Sequence, residues 1–180
     1  MNPKQRSEQG RSRRAFFSLT RAPRVMTHEF SVRILQADAE DAEEFLKLEA
    51  ACFEMEFSLN TLYYWRPIID YCWAFKAISR RRIIGGAIAM PTRDGKIYIN
   101  SLFVHSRFRK GGIGTRLLSR ILRLRPCLGF VLDVKSERSF LHEFYRGHGF
   151  ENTRRVQNYY LDGTTRIVMT RRPSPSPLDE

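Results

Sequence analysis

Apolar residues recur along this chain in two rhythms, every second residue in some stretches and every third or fourth in others, and the changes of rhythm mark its elements. FSVRIL, residues 30–35, alternates as a strand does. Asp38 follows as a capping residue, with Asp41 placed for the reciprocal contact of a capping box. The helix it opens carries Phe45, Leu46, Leu48, Glu49 and Cys52. Ser58 starts a second helical piece, SLNTLYYWR, which Pro67 is expected to disturb. WAFKAIS, RIIGGAIAM and KIYINSLFV then read as three strands, the last two joined by a turn at Arg93-Asp94-Gly95. The rhythm lengthens again: Leu117, Leu118, Ile121, Leu122 and Leu124 share one helical face, Arg116, Arg120 and Arg123 the other, and Pro126 ends the helix. A strand GFVLDVK, a helix SERSFLHEFYRGHG ending at Gly147 or Gly149, and strands near RRVQNYY and TTRIVMT complete the chain, without internal repeats.

Between the strand INSLFV and the leucine-bearing helix lies HSRFRKGGIGT, residues 105–115. Glycines at a helix N-terminus expose backbone N–H groups that have no intrahelical acceptor, and an anion is their natural guest. The spacing excludes a P-loop, because no Gly-Lys-Ser/Thr occurs, and a dinucleotide fingerprint, because Leu117 stands where the third glycine belongs. What remains is R-x-x-G-x-G, from Arg109 through Lys110, Gly111, Gly112 and Ile113 to Gly114.

Composition narrows the setting. The chain of 180 residues, 42% hydrophobic, suits one domain with a sizeable core, and no apolar run reaches membrane-spanning length. Cys52, Cys72 and Cys127 are widely spaced and form no CxxC pair, so neither a disulfide framework nor a metal site is expected, and a cytoplasmic location is. The net charge is +12, of which +6 falls in residues 1–25. Residues 1–28 read as a basic, disordered extension, 29–172 as the folded domain, and 173–180 as a disordered tail. The extension is a candidate contact for ribosome or RNA, and Met26 is an alternative start to Met1.

Three motifs in order, LFVHSRFRKGGIGTRLL, LDVKSERSFLHEFYRGHGF and NYYLDGTTRIVMTR, resemble those of the GNAT superfamily of acetyl-coenzyme A dependent N-acetyltransferases, and within it the ribosomal-protein-alanine N-acetyltransferase group. The resemblance spans residues 30–172 and implies an α/β (α+β) GNAT fold, a mixed, mostly antiparallel sheet of about seven strands with about four helices. It implies acetyl-coenzyme A as cosubstrate, lying against Leu102, Phe103 and Val104 with its pyrophosphate at Arg109, Lys110, Gly111, Gly112, Ile113, Gly114 and Thr115; His142 and His148, six apart without carboxylate partners at ligand spacing, add no expectation of a metal.

The same resemblance puts Tyr145 at the position of the general acid; a phenol stays protonated at neutral pH and can donate to a departing thiolate. Asp133 stands where the group has a glutamate base, a departure that shortens the reach by roughly an ångström and calls for a bridging water. Glu54, Glu56 and His105 are rival bases, and Arg138 replaces a customary asparagine. Residues 37–56 carry eight carboxylates against Lys47, a local net charge of −7, most of it the solvated face of an amphipathic helix. Glu54 and Glu56, in the loop beyond, with Tyr159 and Tyr160 of the NYY segment, are the acceptor-side candidates. The favoured acceptor is a protein N-terminal amine, perhaps ribosomal. A small-molecule amine, a lysine side chain, or a noncatalytic module that binds acetyl-coenzyme A or RNA are the alternatives.

Overall fold

The computed structural model describes residues 31–53 and 62–174, so Glu54, Glu56, Ser58 and most of both termini lie outside the described residues. Seven strands form one sheet: β1 (Arg33–Gln36), β2 (Trp73–Ser79), β3 (Arg82–Pro91), β4 (Ile97–Val104), β5 (Phe130–Lys135), β6 (Glu151–Val156) and β7 (Arg166–Arg171). Their order across the sheet is β1-β2-β3-β4-β5-β7-β6, antiparallel throughout except between β4 and β5. Among the described residues four α-helices accompany it: α1 (Ala42–Cys52), α2 (Leu62–Tyr71), α3 (Ile113–Leu122) and α4 (Ser139–Arg146).

The capping box forms. Asp38 Oδ1 accepts from the Glu40 amide at 3.1 Å and Asp41 Oδ2 accepts from the Asp38 amide at 2.8 Å, opening a single 3-10 turn that runs into α1. Lys76 of β2 ties the same turn to the sheet, its ammonium 2.5 Å from Asp41 and 3.1 Å from Asp38.

Two expectations change. Pro67 lies inside α2 instead of disturbing it; the donor it lacks would have reached the carbonyl of Tyr63, a residue 92% exposed. The NYY segment is not strand: β6 ends at Val156, and Tyr159 and Tyr160 sit in the turn between β6 and β7. That loop bends through Asn158 and Leu161, both at positive φ, which breaks strand pairing.

Core residues lie on both faces of the sheet. Leu117, Leu118 and Ile121 of α3, Tyr145 of α4 and Phe150 pack with Ile97, Ile99, Phe130 and Leu132. On the other face Phe45 and Leu48 of α1 and Trp65 and Ile69 of α2 pack with Ile88 and Phe103. Phe45 meets Phe103 and Trp65 edge to face at 5.4 and 5.5 Å.

Candidate active site

The parallel pair β4–β5 is registered at only two positions, Ile97 with Phe130 and Tyr98 with Val131. Beyond Tyr98 the strands part. β4 keeps β3 on its other side, so residues 99–104 turn one backbone edge into the gap. A bulge makes Asn100 the extra residue of β4, opposite the step from Ile88 to Ala89. It reverses the facing of everything after it: Ile97 and Ile99 belong to the α3 side of the core, but so do Leu102 and Val104, whereas Phe103 belongs to the α1 side. The Phe103 ring is therefore core, and its contribution to the gap is backbone.

At the mouth of the gap, Gly112 caps α3 with φ of 74° and Lys110 also takes positive φ, 62°. The first backbone bond of the helix is donated by Arg116 to the Gly112 carbonyl at 3.0 Å. The amides of residues 110–115 donate to no acceptor among the described residues, six successive N–H groups beside a helix N-terminus. That is the donor set a pyrophosphate needs. Arg109, expected here, folds back so that Nε donates to the Val104 carbonyl at 3.0 Å.

Where the strands part, polar side chains converge. Tyr98 donates to Asp133 Oδ2 at 2.6 Å, Tyr160 donates to the same oxygen at 2.9 Å, and the two phenol oxygens are 3.2 Å apart. The Asp133 side chain is 5% exposed, and its other oxygen faces Arg166 Nη1 at 3.7 Å. Burial, reinforced by the Asp133 charge, holds the Tyr98 phenol far above its usual range, and burial pushes Tyr160 up to about 12. Asp133 thus has a phenol at hydrogen-bond distance, where the sequence led to the expectation of a water.

Tyr145 is buried on α4, between the rings of Phe144 and Phe150, and its hydroxyl has no hydrogen-bond partner among the described residues. Burial, and then the charge of Asp133, keep it protonated well above the ordinary phenol range. On the α1 side, Ser101 donates to Glu49 Oε1 at 3.0 Å and Asn100 donates to the Tyr64 hydroxyl at 3.2 Å. His105 spends Nδ1 on the Arg107 amide at 3.2 Å, capping the 3-10 turn Ser106–Phe108. Arg138 is exposed at the start of α4. No group of three or more His, Cys, Asp or Glu among the described residues is arranged to hold a metal ion.

Tyr98, Arg166 and Glu49 are the participants that sequence reasoning missed. Alternation in KIYINS and FVLDVK points Tyr98 and Asp133 away from the Ile97, Ile99, Phe130 and Leu132 core, but nothing local says that those two strands are neighbours.

The model of the Acetyltransferase (GNAT) family matches residues 42–150. An N-alpha-acetyltransferase from Sulfurisphaera tokodaii is 26% identical over 131 residues, 71% of this chain and 72% of that protein. Among solved structures, Arabidopsis thaliana Naa50 in complex with the bisubstrate analogue CoA-Ac-MVNAL superposes with a TM-score of 0.67 at 23% identity, covering 78% of this chain and 98% of that one. The ribosomal-protein-S18-alanine N-acetyltransferase from Escherichia coli gives 0.71 at 18% identity, covering 83% and 99%. The parted strands and the unpartnered amides at the start of α3 thus stand in a matching sequence and a matching fold, and the chain belongs to the GNAT acetyltransferase family.

Proposed function

We propose that this acetyltransferase moves the acetyl group of acetyl-coenzyme A onto the α-amine of a protein N-terminus. One observation carries the reading: the gap between β4 and β5 has an anion cradle at its mouth, residues 110–115, and a carboxylate with two phenols, Asp133, Tyr98 and Tyr160, at its apex. A ligand lying along the free edge of β4 presents a phosphate to the first and a reacting carbonyl toward the second. The similar N-alpha-acetyltransferase and the Naa50 complex with a coenzyme–peptide analogue support a peptide acceptor, and the Escherichia coli neighbour makes a ribosomal protein a reasonable one to test.

Backbone N–H groups on the free edge of β4 receive the oxyanion that forms when the amine attacks the thioester carbon. Tyr98 accepts a proton from the amine as it passes its own to Asp133, so the carboxylate acts through the phenol. The Tyr145 hydroxyl supplies the proton that the departing thiolate takes. The arrangement suits an α-amine with pKa near 8, about a tenth neutral at pH 7, better than a lysine near 10.4.

The test is incubation with acetyl-coenzyme A and a panel of peptides with free N-termini, N-terminally blocked peptides with lysine, and small amines, read by mass spectrometry. Acetylation confined to N-termini is the expected result. Acetylation of lysine or small amines alone overturns the acceptor and leaves the family.

A further inference from the structure

One side chain outside the loop between β6 and β7 bridges that loop to the gap. Arg166, the first residue of β7, pairs in register with Lys135 of β5 and Val156 of β6, and its guanidinium reaches three partners. Nη1 lies 3.7 Å from Asp133 Oδ1, Nη2 lies 3.8 Å from Asp162 Oδ2 in the loop, and Cζ lies 4.7 Å over the ring of Tyr160, also in the loop. The Arg166 side chain is only 16% exposed, and its Nε is buried without a partner among the described residues, so the two carboxylates and the ring are the close contacts of its guanidinium.

The loop itself is internally shaped. Asn158 Oδ1 accepts from the Gly163 amide at 2.7 Å and Asp162 accepts from the Thr164 amide at 2.9 Å, while Asn158 and Leu161 stand at φ of 49° and 59°. Those bonds fold the loop on itself but do not place it against β4 and β5. The side-chain contacts that do so are Tyr160 on Asp133 and Tyr98, and Arg166 across Asp133, Asp162 and Tyr160, while the Ser136 amide, donating to the Thr165 carbonyl at 2.9 Å, ties the last loop residue to the end of β5. The charges agree: Arg166 between Asp133 and Asp162 leaves a net charge of one minus at the apex, attractive to an ammonium, whereas without the arginine two like charges would push loop and sheet apart.

We propose that Arg166 is a positioning residue for the acceptor, a latch that holds Tyr160 and the β6–β7 loop over the apex and thereby sets the affinity for the peptide without taking part in the chemistry. This rests on the proposed acetylation of a peptide N-terminus. A lysine would keep the charge but cannot span two carboxylates and stack on a ring together.

Two measurements on the full chain test it. The first needs no substrate: chymotrypsin should nick the loop after Tyr159, Tyr160 or Leu161, the last 87% exposed, about tenfold faster in Arg166→Met than in the wild type, the ratio expected from losing roughly one partly shielded ion pair. The second is steady-state acetylation of a peptide: Arg166→Met should raise the peptide KM about tenfold, leave the acetyl-coenzyme A KM within about threefold, and be partly rescued by Arg166→Lys. Unchanged nicking overturns the latch. Faster nicking with a fallen kcat and an unchanged peptide KM overturns the positioning role, as does a parallel rise of both KM values with a lowered melting temperature. A wild-type protein that acetylates no peptide would sink the proposed function, and the nicking ratio would still decide whether Arg166 holds the loop.

Discussion

Adding one methyl group at Gly86 should damage both the core and the site. Gly86 of β3 stands opposite Phe103 of β4, and a Cβ there would lie 2.5 Å from Phe103 Cζ and 2.7 and 2.9 Å from Cε1 and Cζ of Phe45. Ordinary carbon contacts begin near 3.5 Å, so the rings must give by about an ångström. Neither has room: both are buried, they meet edge to face at 5.4 Å, and Phe45 is backed by Trp65. Overpacking of this kind costs about 1–3 kcal/mol, and the entropy gained by replacing a strand glycine returns about 0.5–1, leaving Gly86→Ala destabilised by about 1–2 kcal/mol. For a domain of this size that is a fall in Tm of roughly 3–8 °C. Because Phe103 lies between Leu102 and Val104 on the parted segment of β4, the same displacement should raise the KM for acetyl-coenzyme A. Urea unfolding and steady-state kinetics read the two effects. Gly147→Ala, where the nearest atoms are backbone carbonyls at 3.4 and 3.5 Å and φ is helical, serves as the control and should unfold within about 0.5 kcal/mol of the wild type. A midpoint for Gly86→Ala equal to the wild type would refute the packing argument.

Three further outcomes are expected. Tyr145→Phe should lower kcat by about 10²-fold or more with acetyl-coenzyme A binding unchanged, and full turnover would remove the general acid assignment. Asp133→Asn should lower kcat/KM by about 10²-fold at pH 7 and regain part of it above pH 8, where the acceptor amine deprotonates unaided; an unaltered pH profile would exclude Asp133 from proton transfer. Lys76→Met should cost about 2 kcal/mol, because Asp41 is left largely shielded without its counter-charge. The bond from Lys76 also holds the Asp38 carboxyl below its usual range, so that contribution is present above the unfolded carboxylate pKa and fades as pH falls through the lower, folded value. Urea melts between pH 3 and 7 should therefore show a weaker acid dependence for Lys76→Met than for the wild type.

Local chemistry was legible in the chain itself. The Asp38–Asp41 capping box, the turn at Gly95 and the glycine-rich start of α3 all depend on residues within a few positions of each other, which is why they could be read from spacing. So does the amphipathic helix that buries Tyr145. The resemblance of three motifs supplied the family and a mixed, mostly antiparallel sheet of about seven strands, and added the amides of residues 110–115.

Everything that meets across the sheet had to wait for the tertiary structure. Tyr98 reaches Asp133 over 35 residues and Tyr160 over 27, and Ser101 reaches Glu49 over 52. Such pairs depend on which strands are neighbours, where their pairing stops and where a bulge reverses the facing. Alternation along one strand carries only its own two faces. The Asn100 bulge, the parting of β4 and β5 after Tyr98, and the reach of Arg166 into the β6–β7 loop are set by packing on both sides of the sheet, and they convert a list of polar residues into a site.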